Sequence, residues 1–290
     1  MRVLIIGTTG QLARELHREP ALAEVTLVPA EKVDLADAPR VQALVERAHP
    51  QLIINAAAYT AVDRAETESE RAYAINEHGP ATLAAQCAQR NIPLFHVSTD
   101  YVFDGSKRSA YVETDATTPL GVYGASKLAG ELQVRRILER HLIVRTSWVF
   151  SAHGQNFVKT MLRLAAERDE LRVVADQHGR PTAAAALAKA LLTLARRLAR
   201  GDSLPWGTYH FAGRGETTWH GFASAIVEAQ GEYTKRRPIV TPIATSDYPT
   251  PAKRPQNSVL DTTRFENLLG ITPPAWREGL DAVLRELLHT

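Results

Sequence analysis

The sequence predicts an α/β fold: a Rossmann-type doubly wound parallel sheet with a smaller C-terminal α/β substrate lobe. Three observations predict it. Short apolar, β-branched runs alternate with helix-length stretches through the first half of the chain. The first of these runs opens on a glycine-rich turn, G-x-x-G-x-x-A at Gly7–Ala13. A Y-x-x-x-K pair, Tyr123 and Lys127, lies in the helix-like stretch Val122–Glu131, after the fourth run.

The runs can be justified in order. Arg2–Gly7 (R-V-L-I-I-G) reads as a buried parallel strand. Gly7 and Gly10 then permit a tight turn and let the backbone approach a diphosphate. Gln11, Leu12 and Ala13 complete the turn, and a helix-like stretch follows to about Arg18, whose N-terminus supplies amides and positive dipole. Ala13 stands where a small residue lets helix and strand pack closely. A second strand is expected at Val25–Val28. NAD-selective sites usually carry an acid at its end to bind the ribose 2′-hydroxyl, but here the chain continues Pro29-Ala30-Glu31-Lys32. The displaced acid and adjacent lysine lean towards NADP, or towards use of both cofactors. Asp37 or Asp34 is suited to cap the helix running to about Ala48, and Asp34 is equally suited to reach an adenine.

Gln51–Asn55 is the third strand, with small residues at its C-terminal end, where open α/β sheets bind ligands. The next stretch is mostly helical. Asn76 within it is unfavourable by propensity, which suits a hydrogen-bonding role or, equally, a solvated side chain. Pro93–Ser98 is the fourth strand, with His96 in its core and Thr99 and Asp100 at its C-terminal end, where Tyr123 should arrive. His141–Arg145 is the fifth, followed by Trp148, which suits either core packing or a flat wall for a sugar. The alternation then loosens into a helix at Asn156–Glu167, an apolar run at Leu171–Val174, a helix at about Ala183–Leu198 and a strand at Gly207–Phe211. Proline-rich loops and short helices near Thr263–Leu269 and Trp276–Leu288 complete the chain. Residues 1–148 are expected to form the NAD(P)-binding Rossmann domain, with segments near 171–174 and 207–211 returning to its sheet. Residues 149–290 are expected to form mostly the substrate-binding lobe. Arg254 is either a candidate for an anionic substrate group, because guanidinium matches phosphate geometry, or a solvated loop arginine.

Tyr123 and Lys127, at i and i+4, share one helix face. An ammonium that close is expected to lower a phenol's pKa from ~10 and fit it for proton exchange with a substrate oxygen.

Composition excludes several classes. A formal net charge of +2 is too balanced for a nucleic-acid binder. The single Cys87 allows no internal disulfide or thiolate metal cluster and fits a reducing, cytoplasmic compartment. The N-terminus runs straight into a strand, so no signal peptide is expected. No apolar run is long enough to suggest a membrane span.

Taken together, the motifs resemble the extended short-chain dehydrogenase/reductase family. The residues that carry the resemblance are Gly7–Leu12, N-A-A-A-Y-T-A-V-D at Asn55–Asp63, S-T-D-Y-V-F-D-G at Ser98–Gly105 and P-L-G-V-Y-G-A-S-K at Pro119–Lys127. They continue with R-T-S-W-V-F at Arg145–Phe150, G-R-P-T at Gly179–Thr182 and R-P-Q-N-S-V-L-D at Arg254–Asp261. The resemblance implies reduction of the C4 ketone of dTDP-4-dehydro-L-rhamnose to dTDP-L-rhamnose with NADPH or NADH. It implies Tyr123 as proton donor, Lys127 on the nicotinamide ribose lowering the Tyr123 pKa, and Thr99 on the reacting oxygen. Asp100 and Trp148 would contact the sugar. Gly10, Gln11, Leu12, Asp34, Leu35, Ala58, Tyr59 and Thr60 would line the cofactor. Some members pair as homodimers through an acidic metal-binding cluster. Glu15 and Glu286 match it, but Ala185 stands at the third acid, so no metal is expected. Two rival readings are an NAD-retaining nucleotide-sugar epimerase or dehydratase, and a non-catalytic NADP-binding regulatory subunit. Dehydratases typically follow the Thr-Asp with Glu, where this chain has Tyr101.

Overall fold

Six parallel strands in the order β10-β5-β4-β3-β1-β2 set the frame of this computed structural model, which describes residues 1–19, 24–29 and 31–288. The strands are β1 (Arg2–Ile6), β2 (Thr26–Leu27), β3 (Leu52–Asn55), β4 (Leu94–Thr99), β5 (His141–Thr146) and β10 (Gly207–His210). β3 and β5 are buried along their whole length, as strands covered on both faces must be. Helices α1 (Gln11–Arg18) and α8 (Ala184–Ala199) pack together on one face, with Leu16, Leu187 and Leu191 against Val3, Ile5 and Val144. On the other face lie α2 (Ala38–Ala48), α5 (Gly79–Arg90) and α6 (Val122–Ile137), reached through the short α3 (Val62–Ala65) and α4 (Ser69–Tyr73).

The rest of the chain gathers around its own core of Phe150, Met161, Leu171, Phe222, Ile226, Trp276 and Leu280. Its elements are β6 (Val149–Phe150), α7 (Phe157–Glu167), β7 (Glu170–Val174), β8 (His178–Gly179), β9 (Thr182–Ala183), β11 (Thr217–Thr218), α9 (Trp219–Thr234), β12 (Ile239–Ile243) and α11 (Trp276–Leu288). The short α10 (Thr263–Leu269) instead packs Phe265 against the main sheet's core. Among the described residues, no helix is long and apolar enough to cross a membrane.

Two expectations need correction. The Leu171–Val174 segment does not return to the main sheet: β7 pairs in parallel with β12, from Glu170↔Ile239 to Val174↔Ile243. Its alternate burial, with Leu171 and Val173 inward, is that of a two-stranded ribbon lying on a single core. Pro242 sits in β12, an edge strand, where a missing amide is tolerated. The 16-residue α9 falls where only loops and short helices are expected. Thr218 caps it by accepting the Gly221 amide at 3.0 Å, and Trp219, Phe222, Ala223 and Ile226 are spaced to bury one face.

Helix α6 is seated unusually close to its neighbours. A Cβ on Gly124 would lie 2.1 Å from the Tyr101 carbonyl oxygen, and one on Gly130 would lie 2.0 Å from that of Asn76. Both contacts are with backbone, which cannot swing aside. Gly130→Ala is therefore expected to destabilise the protein by about 1–3 kcal/mol through overpacking, read as a lower urea midpoint at unchanged slope. Gly10→Ala, whose added carbon meets nothing within 4 Å, serves as the control.

Candidate active site

The C-terminal edge of the sheet brings three loops together. At the end of β1, Gly7 has φ +117°, and an added Cβ would press on Ala13 at 3.3 Å and on the Ala56 backbone at 3.4 Å. Gly10 is the N-cap of α1 and has no side-chain capping bond. The first-turn amides of α1 thus face an approach that no side chain fills, as diphosphate binding requires. This is the structural ground for saying that the glycine-rich turn fits a dinucleotide.

The second loop follows β3. Asn76 lies in a π-helical turn, Ala74–His78, and is fully buried. Its Oδ1 accepts the Tyr59 amide at 2.8 Å, while its Nδ2 donates to the Tyr59 carbonyl at 3.0 Å and to Ser126 Oγ at 3.0 Å. The single side chain therefore fastens the Ala58–Thr60 loop to α6. A π-turn here fits their frequent occurrence at functional sites.

The third loop follows β4. Thr99 Oγ1 donates to Asp100 Oδ1 at 3.0 Å and accepts the Tyr101 amide at 3.2 Å. The Tyr101 ring meets Tyr123 edge-on, with centroids 5.4 Å apart. Tyr123 lies in the first turn of α6, whose Val122 amide is capped by Glu66 Oε1 at 2.9 Å, a carboxylate at the positive end of a helix. One turn on, Lys127 is 2% exposed, and its Nζ donates to the Val97 carbonyl at 2.7 Å.

The electrostatics differ from expectation. Burial pushes the Tyr123 phenol up to about 12, opposed by a hydrogen bond from Thr99 and reinforced by the Asp100 charge. Burial also drives Lys127 down to about 8, with Glu131 acting the other way. The anticipated lowering of the phenol by its lysine is absent from this arrangement: the ammonium is spent on a β4 carbonyl, and desolvation of the phenolate outweighs what remains. Burial raises Asp100 to about 6, despite Ser258 and Thr99 beside it. Its Oδ2 makes no well-formed hydrogen bond among the described residues.

A cleft of about 620 Å³ opens beside this group. Tyr101 and Arg254 line it at one end, Trp219 and Phe157 form an aromatic wall, and Arg163, Arg168 and Arg172 lie along it. Its volume is within the range of small-molecule sites.

Three comparisons with known proteins bear on these observations. The family model described as RmlD substrate binding domain matches residues 1–289. The dTDP-4-dehydrorhamnose reductase of Burkholderia thailandensis is 44% identical, over 99% of this chain and 99% of that protein. The chain belongs to the RmlD, or dTDP-4-dehydrorhamnose reductase, family. The Escherichia coli enzyme of that name is 41% identical, over 100% of this chain and 99% of its own. A crystal structure of the family from Clostridium acetobutylicum superposes with a TM-score of 0.91 at 36% identity, covering both chains fully. Another, from Bacillus anthracis in complex with NADP, gives 0.88 at 38% identity over 98% of this chain and 99% of that one.

The structure of this RmlD-family chain draws Thr99, Asp100, Tyr123 and Lys127 to one sheet edge and disperses several other residues. Gln11 directs its side chain across to the smaller lobe: Oε1 accepts from Ser151 Oγ at 3.1 Å and from Asn156 Nδ2 at 2.9 Å. Leu12 and Leu35 are core residues, with Leu35 beneath Gly79, so only their main chains face outward. Asp37 caps α2 by accepting the Arg40 amide, whereas Asp34 bonds the Ala36 amide and pairs with Arg71 at 2.6 Å, which holds its carboxyl below the usual range. Glu31 pairs with Arg47. Ala30 lies outside the described residues. The Tyr59 hydroxyl donates to Glu68 at 2.7 Å.

Trp148 adopts φ +48° and stacks on Trp219 at 3.6 Å, so Trp219 is the indole on the cleft and Trp148 backs it. Arg254 reaches the cleft while paired with Asp63 at 2.8 Å. Glu286 pairs with Arg18 at 2.6 Å, and Glu15 lies 3.7 Å from His153.

Sequence reasoning missed Glu66, Ser126, Trp219 and Glu131. The available signals were the acid at Lys127 plus four and the arginine that directly follows the apolar Leu142–Val144.

Asp100 generates a prediction. Its pKa is raised on folding, so the charged form costs stability above about pH 6, and that cost fades as pH falls below it. Asp100→Asn at neutral pH should therefore melt about 2–4 °C higher, a gain on the order of 1 kcal/mol, while its turnover falls. A lower melting temperature would show that the carboxylate is well satisfied.

Proposed function

We infer that the chain reduces the C4 ketone of dTDP-4-dehydro-L-rhamnose to dTDP-L-rhamnose with a reduced nicotinamide cofactor, NADPH or NADH. This would make it the final step in supplying that sugar donor. The observation that carries the reading is the meeting of Thr99, Asp100 and Tyr123 around Tyr101, which itself lines a cleft together with arginines. Family membership and the NADP bound to the Bacillus anthracis relative support it. In this reading residues 1–148 hold the cofactor, with β10 completing the sheet, and residues 149–290 mostly hold the sugar nucleotide.

When bound, the cofactor supplies the hydride. The chain supplies geometry and a proton. With its pKa near about 12, Tyr123 is a protonated phenol at neutral pH, which is the state a proton donor to the ketone oxygen must occupy. The Thr99 hydroxyl shares that oxygen and stabilises the phenolate left behind. Lys127 holds the nicotinamide ribose. Asp100 accepts from the sugar, and the cleft arginines face the diphosphate, with Arg254 repartitioning from Asp63. The amides of Gly10, Gln11 and Leu12 take the cofactor diphosphate, and Asp34, Leu35 and the Ala58–Thr60 loop flank its adenosine half.

Tyr123→Phe should lower kcat about 10²–10⁴-fold while NADPH binding, measured by calorimetry, persists. Near-normal turnover would remove Tyr123 from the role of proton donor. Consumption of NADPH in step with product separates a reductase from a cofactor-retaining epimerase or dehydratase. Absence of any turnover would favour the regulatory-subunit reading.

The pH profile of kcat/KM should be bell-shaped. Its acid limb should lie near about 6, where Asp100 gains a proton, and its alkaline limb near about 8, where Lys127 loses one. Asp100→Asn should abolish the acid limb alone.

A further inference from the structure

Glu131 follows Lys127 by one turn of α6, and both are sealed from solvent, at 0% and 2% exposure. The carboxylate is gripped from behind. Arg145 of β5 donates Nε to Oε1 at 2.9 Å and Nη2 to Oε2 at 2.7 Å. Arg135 adds Nη2 at 2.5 Å, and Ser98 of β4 lies beside the carboxylate and helps hold it below the usual range. Arg145 is fixed in turn, its guanidinium lying 5.1 Å from the Phe103 ring centre and Nη1 3.5 Å from His210 Nε2.

A buried ion pair of this kind is a poor way to gain stability, because desolvation offsets most of the Coulombic attraction. Its placement points to another role. Three consecutive residues of β4 border three parts of the site: Val97 gives a carbonyl to Lys127, Ser98 lies beside Glu131, and Thr99 lies beside Tyr123. The rung opposite Ser98 on β5 is Arg145 itself.

We propose that Glu131, clamped by Arg145, is a positioning residue: a fixed buried anion that keeps the Lys127 ammonium charged and aimed at the sheet edge. The proposal rests on the reading of Lys127 as the residue that holds the cofactor. The groups around Lys127 are Tyr123 and Glu131 on its own helix and His96 on β4, with Arg135, Arg145 and His210 beyond Glu131. Burial keeps both histidines neutral and the phenol protonated. Arg145 is committed to Glu131, so Glu131 is the anion of this set and opposes the burial that drives Lys127 down.

The experiment follows the Lys127 side chain by NMR in ligand-free protein carrying ¹³C-labelled lysine, with its signal assigned by its loss in Lys127→Met. In Glu131→Gln the Lys127 titration midpoint should fall by about one pH unit or more. In Glu131→Asp it should fall less, in the same direction. The pH at which NADPH affinity weakens should move with it. An unchanged midpoint in folded Glu131→Gln overturns the proposal. If that variant does not fold, Glu131→Asp decides by the same criterion. A shifted midpoint together with undiminished NADPH binding by Lys127→Met supports the Glu131–Lys127 coupling and removes instead the assignment of Lys127 to the cofactor.

Discussion

The seating of α6 against two backbone carbonyls is the constraint on which the rest of the site depends. Only glycine at positions 124 and 130 lets the helix approach the Tyr101 and Asn76 oxygens so closely. With the helix at that depth, Tyr123 meets the β4 loop, Lys127 reaches a β4 carbonyl, and Glu131 meets the arginine of β5. A helix standing one side chain farther out would break all three contacts at once. Glycine in a helix interior costs about 1 kcal/mol relative to alanine, and at these two positions the cost is offset by the geometry it permits.

The two lobes are joined by specific polar bonds as well as by packing. Gln11 links the glycine-rich turn to Ser151 and Asn156, ahead of α7. Asp63, beside the β3 loop, receives both the Arg254 guanidinium and the Ala252 amide. Each link runs from a loop at the C-terminal edge of the main sheet to a segment of the smaller lobe beside the cleft. An occupant on one side therefore acts on groups already bonded to the other, a coupling carried by discrete hydrogen bonds.

Much of this was legible in the sequence. The parallel strands announced themselves as continuous apolar runs, and α2, α10 and α11 lie within a residue or so of their expected limits, while α1 begins at Gln11, inside the stretch read as a turn. Thr99, Asp100, Tyr123 and Lys127 were readable because a strand end and a helix start place side chains by local rules alone. What stayed hidden depends on long-range neighbours. That Leu171–Val174 pairs with Ile239–Ile243 could not be told from its apolar pattern, which suits a main-sheet strand equally well. The upward shift of Tyr123 needed knowledge of what surrounds it, since spacing reveals an adjacent charge but not the depth of burial. The partner of Arg254 lies 191 positions away in the chain.

The face-to-face indoles of Trp148 and Trp219 carry an optical consequence. One ring walls the cleft and the other lies directly behind it, 3.6 Å away and nearly coplanar in tilt. Stacked chromophores at that separation share their excited states, so whatever touches the outer ring alters the emission and near-ultraviolet dichroism of the pair. The protein thus carries its own unlabelled reporter of cleft occupancy, distinguished by ring stacking from Trp206, which lies under Arg140, and from Trp276, which meets Phe222 edge-on in the same core.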